Sequence, residues 1–261
     1  IETTGIRGFR LDAVKHIDSF FMANFIRDIL QEYGDDFYVF GEFWNNDEAA
    51  NNDYLENIDY RFDLVDVKLH TNLFEASQKG EEYDLRTIFD HTLVKNHPES
   101  AVTFVENHDT QRGQALESTV EEWFKPAAYA LILLRESGLP CIFYGDYYGI
   151  SGEFAQQDFR EEIDKLLDLR LNLAYGEETD YFDDPNCIGW TRAGQEGSQP
   201  IAVLISNATA TSKRMYFGQD WSGHECSDYL GNCQTIVTID EEGWGEFPVE
   251  EQSVSVWSIK N

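Results

Sequence analysis

Between residue 8 and about residue 175, short apolar runs alternate with longer stretches whose apolar residues recur at helical spacing. Five runs predict buried strands, at residues 8–12, 37–42, 64–69, 101–107 and 141–144. The spacing predicts helices over residues 19–33, 120–135 and 159–173, and residues 64–77 are interpreted as a strand that runs into a helix. This alternation is typical of repeated βα units and a parallel sheet. Because five units cannot close an eight-stranded barrel, the sheet is either an open α/β sheet or a barrel whose first strands lie outside this chain.

After about residue 176 the pattern changes. Short β-branched or aromatic runs are separated by clusters of Gly, Asn, Asp and Ser, and residues 253–259 (SVSVWSI) largely alternate between polar and apolar. This part of the chain is predicted to be a small all-β domain. We therefore expect two domains, residues 1–177 and residues 178–261.

The charge of the chain excludes two classes of partner. Its 261 residues contain 49 Asp and Glu against 19 Lys and Arg, a formal net charge of −30. A nucleic-acid backbone or an anionic membrane surface would be repelled, so no nucleic-acid and no membrane partner is expected. The 42% of hydrophobic residues exclude a disordered polyanion, and no apolar run approaches the roughly 18 residues of a spanning helix.

The four cysteines do not form the close-spaced pairs of a structural zinc site. Cys226 and Cys233 are near enough in sequence to bridge, but four ordinary thiols in a reducing compartment are the preferred interpretation. A cytoplasmic location is the corresponding expectation.

A carboxylate stands at or just after the end of three of the predicted strands: Asp12, Glu42 and Asp109. The carboxyl ends of parallel strands face the same way, so these side chains are expected to converge on one mouth. Arg10 lies inside the first apolar strand, where an unpaired guanidinium would be costly, and His108 adjoins Asp109.

Converging carboxylates suit two kinds of chemistry. They hold divalent cations for phosphoester hydrolysis, or they cleave glycosides, one as nucleophile and the other as proton donor. Aromatic residues favour the second, because sugar faces stack on such rings, and Phe43 and Trp44 directly follow Glu42.

At this point the motifs resemble those of the α-amylase family, the retaining glycoside hydrolases on a (β/α)₈ barrel. Residues 8–16 (GFRLDAVKH), 41–44 (GEFW) and 104–109 (FVENHD) are similar to the second, third and fourth motifs of that family. Residues 143–146 (FYGD) and 189–192 (GWTR) are similar to words of the bacterial liquefying and cytoplasmic α-amylases. The resemblance covers essentially the whole chain.

The resemblance implies a role for each carboxylate. Asp12 matches the nucleophile, and Arg10 the arginine that keeps it ionised and oriented. Glu42 matches the general acid/base. Asp109 matches the third carboxylate, which binds sugar hydroxyls, with His108 beside it as a hydroxyl donor.

The resemblance also implies contacts with the substrate, an α-glucan polysaccharide or oligosaccharide. Lys15 and His16 match residues on the leaving-group side of the cleft, although Lys15 alone also fits a solvated helix start. Trp44 is expected to stack on sugar. A structural calcium ion is implied for the complete enzyme, with the His16 backbone carbonyl as one ligand.

The family's first motif, its first three strands and its inserted calcium-binding domain would precede residue 1. The expected fold is therefore a partial TIM-type (β/α)₈ barrel, strands four to eight, followed by a small antiparallel β-sandwich. Such a piece is expected to be inactive alone, and the complete protein to be an endo-acting, retaining α-amylase. The alternative is a non-catalytic carbohydrate-binding or interaction protein on an amylase-like barrel, and retention of all three carboxylates counts against it.

Overall fold

The predicted strands of the first part form one parallel sheet. The computed structural model describes residues 1–260, and within them this sheet has the order β1-β2-β3-β4-β5 with every neighbouring pair parallel. Its strands are β1 (Gly8–Leu11), β2 (Tyr38–Gly41), β3 (Asp63–Val65), β4 (Ala101–Phe104) and β5 (Leu139–Cys141). The predicted partial barrel is thus confirmed as a run of parallel strands joined by helices.

The α-helices agree only in part with the predicted spacing. They are α1 (Ser19–Tyr33), α2 (Glu48–Asn57), α3 (Val67–Lys79), α4 (Leu93–Asn96), α5 (Lys125–Leu133), α6 (Tyr144–Tyr148) and α7 (Arg160–Asn172). The predicted helical stretches contain helices α1, α3, α5 and α7, whereas α2, α4 and α6 were not predicted. At the start of α1, the Asp18 side chain accepts the Phe21 N–H at 2.9 Å. At its end, Gly34 has φ +98° and donates its N–H to the Leu30 carbonyl at 2.9 Å.

The strands predicted over residues 64–69 and 101–107 end earlier than expected, at Val65 and Phe104. Two other predicted boundaries were wrong for local reasons. The strand predicted over residues 141–144 lies at 139–141, because Tyr144 begins α6. The helix predicted from residue 120 begins at Lys125, where Pro126 occupies the first turn. Proline is favoured there because its missing N–H has no partner in a first turn.

The chain divides into two compact units. The first consists of Ile1–Thr71, Phe89–Phe104 and Ser137–Cys141 and contains the parallel sheet. The second consists of Asn72–Ile88, Val105–Glu136 and the chain from Ile142 to the end of the described residues. The domain boundary after residue 177 stays a prediction.

The second unit contains the β-rich part of the chain. Over residues 178–260 the strands are β6 (Glu178–Asp184), β7 (Cys187–Arg192), β8 (Ile201–Ser206), β9 (Thr211–Tyr216), β10 (Glu225–Asp228), β11 (Val237–Thr238), β12 (Trp244–Val249) and β13 (Ser253–Ile259). They form an antiparallel sheet in the order β11-β10-β13-β8-β7-β6 and a ribbon of β12 with β9. Leu204, Met215, Phe247 and Trp257, drawn from both, belong to one apolar cluster. The predicted antiparallel C-terminal domain is confirmed.

Alternation of polar and apolar residues would suggest that strand β13 exposes its polar side chains, but Ser255 and Ser258 are buried. The strand lies between β10 and β8, and both serines are as buried as its valines. The Ser255 hydroxyl donates to the Pro248 carbonyl at 2.8 Å. Serine is tolerated at this buried position because its hydroxyl has a partner.

Asp228 is a buried carboxylate that holds a turn of the second unit. It accepts the N–H groups of Leu230 at 3.1 Å, Cys233 at 2.9 Å and Val256 at 2.9 Å, while burial raises its pKa. Asp228→Ala would leave these donors without an acceptor, and we expect the free energy of unfolding to fall by at least about 1–3 kcal/mol. Denaturant unfolding of the chain measures this. Asp158→Ala, at an exposed position, is the matched control, and equal losses in the two variants would contradict the role of Asp228.

The four cysteines, all within the described residues, are free thiols. Cys187, Cys226 and Cys233 are buried, whereas Cys141 is exposed at the end of β5. Burial raises the pKa of Cys187 to about 11 and that of Cys226 to about 12. The structure therefore agrees with the preferred interpretation of ordinary thiols.

None of the helices within residues 1–260 has the length and apolar character needed to cross a membrane.

Candidate active site

The carboxyl ends of β1 and β2 bring two of the predicted carboxylates together. Leu11, the last residue of β1, pairs in parallel with Gly41, the last residue of β2. Asp12 and Glu42 are the next residues of the two strands, so they leave the same edge of the sheet side by side. Their backbones are also joined there, because the Glu42 N–H donates to the Leu11 carbonyl at 2.8 Å.

Arg10 bridges the two carboxylates. Its Nη2 lies 2.9 Å from Glu42 Oε1, and its Nη1 donates to Asp12 Oδ1. The side chains differ in exposure, since that of Glu42 is 9% exposed and that of Asp12 is 75% exposed. One guanidinium therefore orients a buried and an exposed carboxylate. Its planar group has several N–H donors, so it can bind two carboxylates at once.

The backbone after β1 gives Glu42 a further fixed partner. Ala13 has φ +50°, in the left-handed region that non-glycine residues seldom adopt. In this conformation its N–H donates to Glu42 Oε2 at 3.1 Å, and the next N–H, of Val14, donates to the Glu42 carbonyl at 3.0 Å. Strained backbone of this kind is concentrated at functional sites.

The other residues predicted at this edge differ in exposure and in contacts. Lys15 is exposed and donates from Nζ to the Trp44 carbonyl at 3.1 Å. The Trp44 ring is partly exposed, with its centroid 6.2 Å from that of His70 and 6.3 Å from that of Phe104. The His16 side chain is exposed. Lys15 and Trp44, which follow Asp12 and Glu42 closely in sequence, are thus linked to each other.

Asp109 and His108 lie in the second unit, in the loop that follows β4. The Nε2 of His108 is 3.3 Å from Asp109 Oδ2, so the two predicted residues do form a pair. Asn107 shapes the loop, because its Oδ1 accepts the N–H groups of Asp109 and Thr110, each at 3.0 Å. Sequence reasoning missed Asn107, although an asparagine two residues before the key residue is a signal for such a turn. The convergence of Asp109 with Asp12 and Glu42 stays a prediction.

A buried charged cluster next to this loop was also missed. Lys125 Nζ lies 2.5 Å from Glu106 Oε2 and donates to Asp146 Oδ1, and these three side chains are fully buried. The Tyr129 hydroxyl donates to Asp146 Oδ2 at 2.6 Å. Burial raises the pKa of both Glu106 and Tyr129. The available signal was a lysine within an apolar helical run, because a lysine is rarely buried without a partner.

The residues of this chain do not by themselves fit the expected calcium ion. Among residues 1–260 no group of three or more His, Cys, Asp and Glu side chains is arranged to hold a metal. His16 contributes only a backbone carbonyl, in the single turn Val14–His16. Calcium prefers six to eight oxygen ligands, so one carbonyl is not a site.

Two family models match consecutive parts of the chain. The model of the α-amylase catalytic domain matches residues 1–197, and the model of the α-amylase C-terminal region matches residues 201–258. The first match alone covers well over half of the sequence.

Similar relatives extend over nearly the whole chain. It is 46% identical over 260 residues to a glucan 1,4-alpha-maltohexaosidase of Bacillus sp. strain 707, covering 99% of the chain and 50% of the relative. It is 44% identical to an α-amylase of Geobacillus stearothermophilus, covering 98% and 47%. The cytoplasmic α-amylase of Escherichia coli K12 is 39% identical, covering 100% and 54%. The chain thus spans about half the length of these relatives.

Solved structures agree on the fold. An Anoxybacillus α-amylase is similar with a TM-score of 0.71 at 23% identity, covering all of this chain and 61% of that one. An α-amylase of Geobacillus thermoleovorans, solved with acarbose, has a TM-score of 0.68 at 23% identity, with the same coverage. With the catalytic-domain match over residues 1–197, the conclusion is that this chain belongs to the α-amylase family of glycoside hydrolases.

Proposed function

We propose that the whole protein hydrolyses α-1,4-glucosidic bonds within starch, glycogen or maltodextrin chains, with retention of anomeric configuration. The observation that carries the proposal is the Arg10 guanidinium, which contacts Asp12 and Glu42 at once. Retaining glycosidases require two carboxyl groups close enough to act on one bond. The family membership and the α-amylases among the relatives support the same substrate class.

In the first step, an Asp12 carboxylate oxygen bonds to the anomeric carbon as the glucosidic C–O bond breaks. Glu42 gives its proton to the leaving oxygen, so the departing chain ends in a hydroxyl. In the second step, Glu42 takes a proton from water, whose oxygen bonds to the anomeric carbon and releases Asp12. Two displacements at one carbon restore its configuration.

The remaining residues would bind and orient sugar. Asp109 is proposed as the third carboxylate that accepts hydrogen bonds from sugar hydroxyls, and His108 as a donor beside it. Lys15 and His16 would contact the leaving-group side, and the partly exposed Trp44 ring would stack on a sugar face.

The stereochemistry of the first-formed product tests the proposal. We expect proton NMR of the whole protein acting on a maltooligosaccharide to show the α-anomer of the new reducing end before mutarotation. A β-anomer formed first would mean a single displacement by water, and Asp12 would not be the nucleophile. A matched incubation without enzyme gives the rate of mutarotation.

Calcium would bind the whole protein structurally, with ligands beyond those this chain arranges, since glycoside cleavage needs no metal at the broken bond. The chain alone would be inactive. Within the described residues β1 and β5 are the edges of a five-stranded parallel sheet, so the barrel that would surround the active site is not closed.

A cytoplasmic location is proposed on the basis of the free thiols and the similarity to the cytoplasmic α-amylase of E. coli.

A further inference from the structure

Residues 107–119 form a loop that carries Asp109 and is closed by its own hydrogen bonds; it is called the Asp109 loop below. The Leu116 N–H donates to the Asp109 carbonyl at 3.1 Å, and the Ser118 N–H donates to the Thr110 carbonyl at 2.9 Å. Thr110 itself is fully buried. These bonds give the loop its shape, whereas its place against the helices of the second unit depends on contacts outside it.

Glu106 joins the Asp109 loop to two helices. It directly precedes the loop, and its side chain is fully buried. Its Oε2 lies 2.5 Å from Lys125 Nζ in α5, and the same ammonium contacts Asp146 Oδ1 in α6. Glu106, Lys125 and Asp146 are called the Lys125 cluster. The residue that leads into the loop is therefore held by one lysine, whose Nζ also lies 5.6 Å from the centre of the Phe159 ring.

Asp146 joins the same cluster to a second loop, residues 150–156. Its carboxylate accepts hydrogen bonds from the Tyr129 hydroxyl and from Gln156 Nε2, each at 2.6 Å. Gln156 closes the second loop, because its backbone exchanges hydrogen bonds with that of Ile150 at 2.9 and 3.0 Å. The Lys125 cluster is thus bound to both loops.

The two loops touch each other at a glycine. Gly113, in the Asp109 loop, has φ +80°, and a Cβ at this position would overlap the ring of Phe154 in the second loop. The Lys125 cluster holds both sides of this contact, because Glu106 leads into the first loop and Asp146 binds the second. A change in the cluster would therefore reach the Asp109 loop by two routes.

Stability alone does not account for three buried charges at this place. One ammonium between two carboxylates leaves a net negative charge if both acids are ionised, and burial raises the pKa of Glu106. Replacing a buried ion pair by apolar residues of similar volume is often neutral or stabilising. Buried charges do favour one arrangement, because any arrangement that separates them leaves a charge unpaired in an apolar interior.

From this connectivity we infer that Lys125, held between Glu106 and Asp146, is a positioning residue for the proposed reaction. It keeps the Asp109 loop where the Asp109 carboxylate can accept hydrogen bonds from sugar hydroxyls. Its side chain is fully buried, so it acts through the loop and not on the substrate. The inference rests on the proposed function, which assigns Asp109 its role in sugar binding.

A variant that regains stability but not activity tests the inference. The triple variant Lys125→Met, Glu106→Gln, Asp146→Asn carries no buried charge, so it should unfold at a higher denaturant concentration than Lys125→Met alone. Its kcat on maltooligosaccharides should still be about 10²-fold below that of the unmodified whole protein, the cost of a displacement of about 1 Å at an active site. KM should change less, since hydrogen bonds to sugar hydroxyls strengthen in the transition state.

Asp228→Ala is the matched control for stability. It removes a buried carboxylate whose hydrogen bonds go to the N–H groups of Leu230, Cys233 and Val256, outside both loops. It should lower the stability and leave kcat unchanged. Recovery of kcat together with stability in the triple variant would reduce Lys125 to a structural role and overturn the inference.

Amide hydrogen exchange of the full chain gives a readout that does not depend on hydrolysis. The Asp109 and Thr110 N–H groups donate to Asn107 Oδ1 at 3.0 Å, and they should exchange several-fold faster in the triple variant than in the unmodified chain or in Asp228→Ala. Equal exchange in the three proteins would overturn the inference. A whole protein that is inactive on α-glucans would instead refute the proposed function and leave the exchange result standing.

Discussion

Glu42→Gln is expected to lower kcat of the whole protein on maltooligosaccharides by about 10²–10⁴-fold, the usual contribution of a general acid/base. The amide has nearly the same shape and still offers an oxygen to the Ala13 N–H, which donates to Glu42 Oε2 in the structure. The glutamine amide is not acidic enough to protonate the leaving oxygen, and it forms no ion pair with Arg10. Steady-state kinetics with a chromogenic maltooligosaccharide measures the loss.

Glu56→Gln is the matched control, because Glu56 is exposed on α2. Its kcat should equal that of the unmodified protein. The circular dichroism of both variants should also be unchanged, which separates loss of chemistry from loss of fold. Turnover of Glu42→Gln at the unmodified rate would remove Glu42 from the mechanism.

Lys125→Met is expected to lower the free energy of unfolding of the chain by about 3–5 kcal/mol, the usual result of removing one partner from a buried ion pair. Lys125 is the cation that contacts Glu106 and Asp146, and all three side chains are fully buried. Methionine fills a similar volume, so the loss comes from the unpaired carboxylates rather than from a cavity. Chemical denaturation followed by fluorescence measures it.

The loss should depend on pH. Burial already holds the pKa of Glu106 above its usual value, and the Lys125 charge lowers this pKa. Loss of the lysine should therefore raise the pKa of Glu106 further. A group whose pKa is raised by folding contributes stability below its unfolded pKa, and this contribution is lost as pH rises through the folded pKa. Lys125→Met should therefore destabilise the chain more at pH 8 than at pH 5.

Lys79→Met provides the comparison at the surface. Lys79 is half exposed and lies 2.7 Å from Glu75 in an i,i+4 pair, and such pairs contribute about 0.3–0.5 kcal/mol. The triple variant Lys125→Met, Glu106→Gln, Asp146→Asn should recover part of the loss, because it leaves no buried charge. Equal, pH-independent losses for the two lysine variants would contradict the charged-cluster interpretation.

The sequence predicted the elements in which local signals and packing agree. Helix α1 has an N-capping Asp18, helical spacing of its apolar residues and a terminating Gly34, so its boundaries follow from the sequence alone. Strand β6 was missed because its sequence, ETDYFDD, has no apolar alternation. It is extended because β7 pairs with it from Glu178 to Asp184. This pairing is a tertiary contact that the local sequence does not indicate.

The candidate site shows the same limit. Asp12 and Glu42 were predicted because each ends an apolar run, and parallel strands place their carboxyl ends together. The second contact of Arg10, with Glu42, depends on the register of β1 against β2, which is a tertiary property. The Lys125 cluster joins segments up to 40 residues apart in sequence, from Glu106 to Asp146. The sequence indicates it only through a lysine within an apolar helical run.

The uneven burial of the thiols makes the chain selectively addressable by chemical labels. Thiolates are the reactive form, and the Cys187 and Cys226 thiols, with pKa values of about 11 and 12, are almost fully protonated at neutral pH and sheltered from reagents. Burial also raises the pKa of Cys141, so access rather than acidity distinguishes it: it is the exposed thiol of the chain. A maleimide dye would therefore report from the end of β5, on one edge of the parallel sheet, without the need to remove the other cysteines.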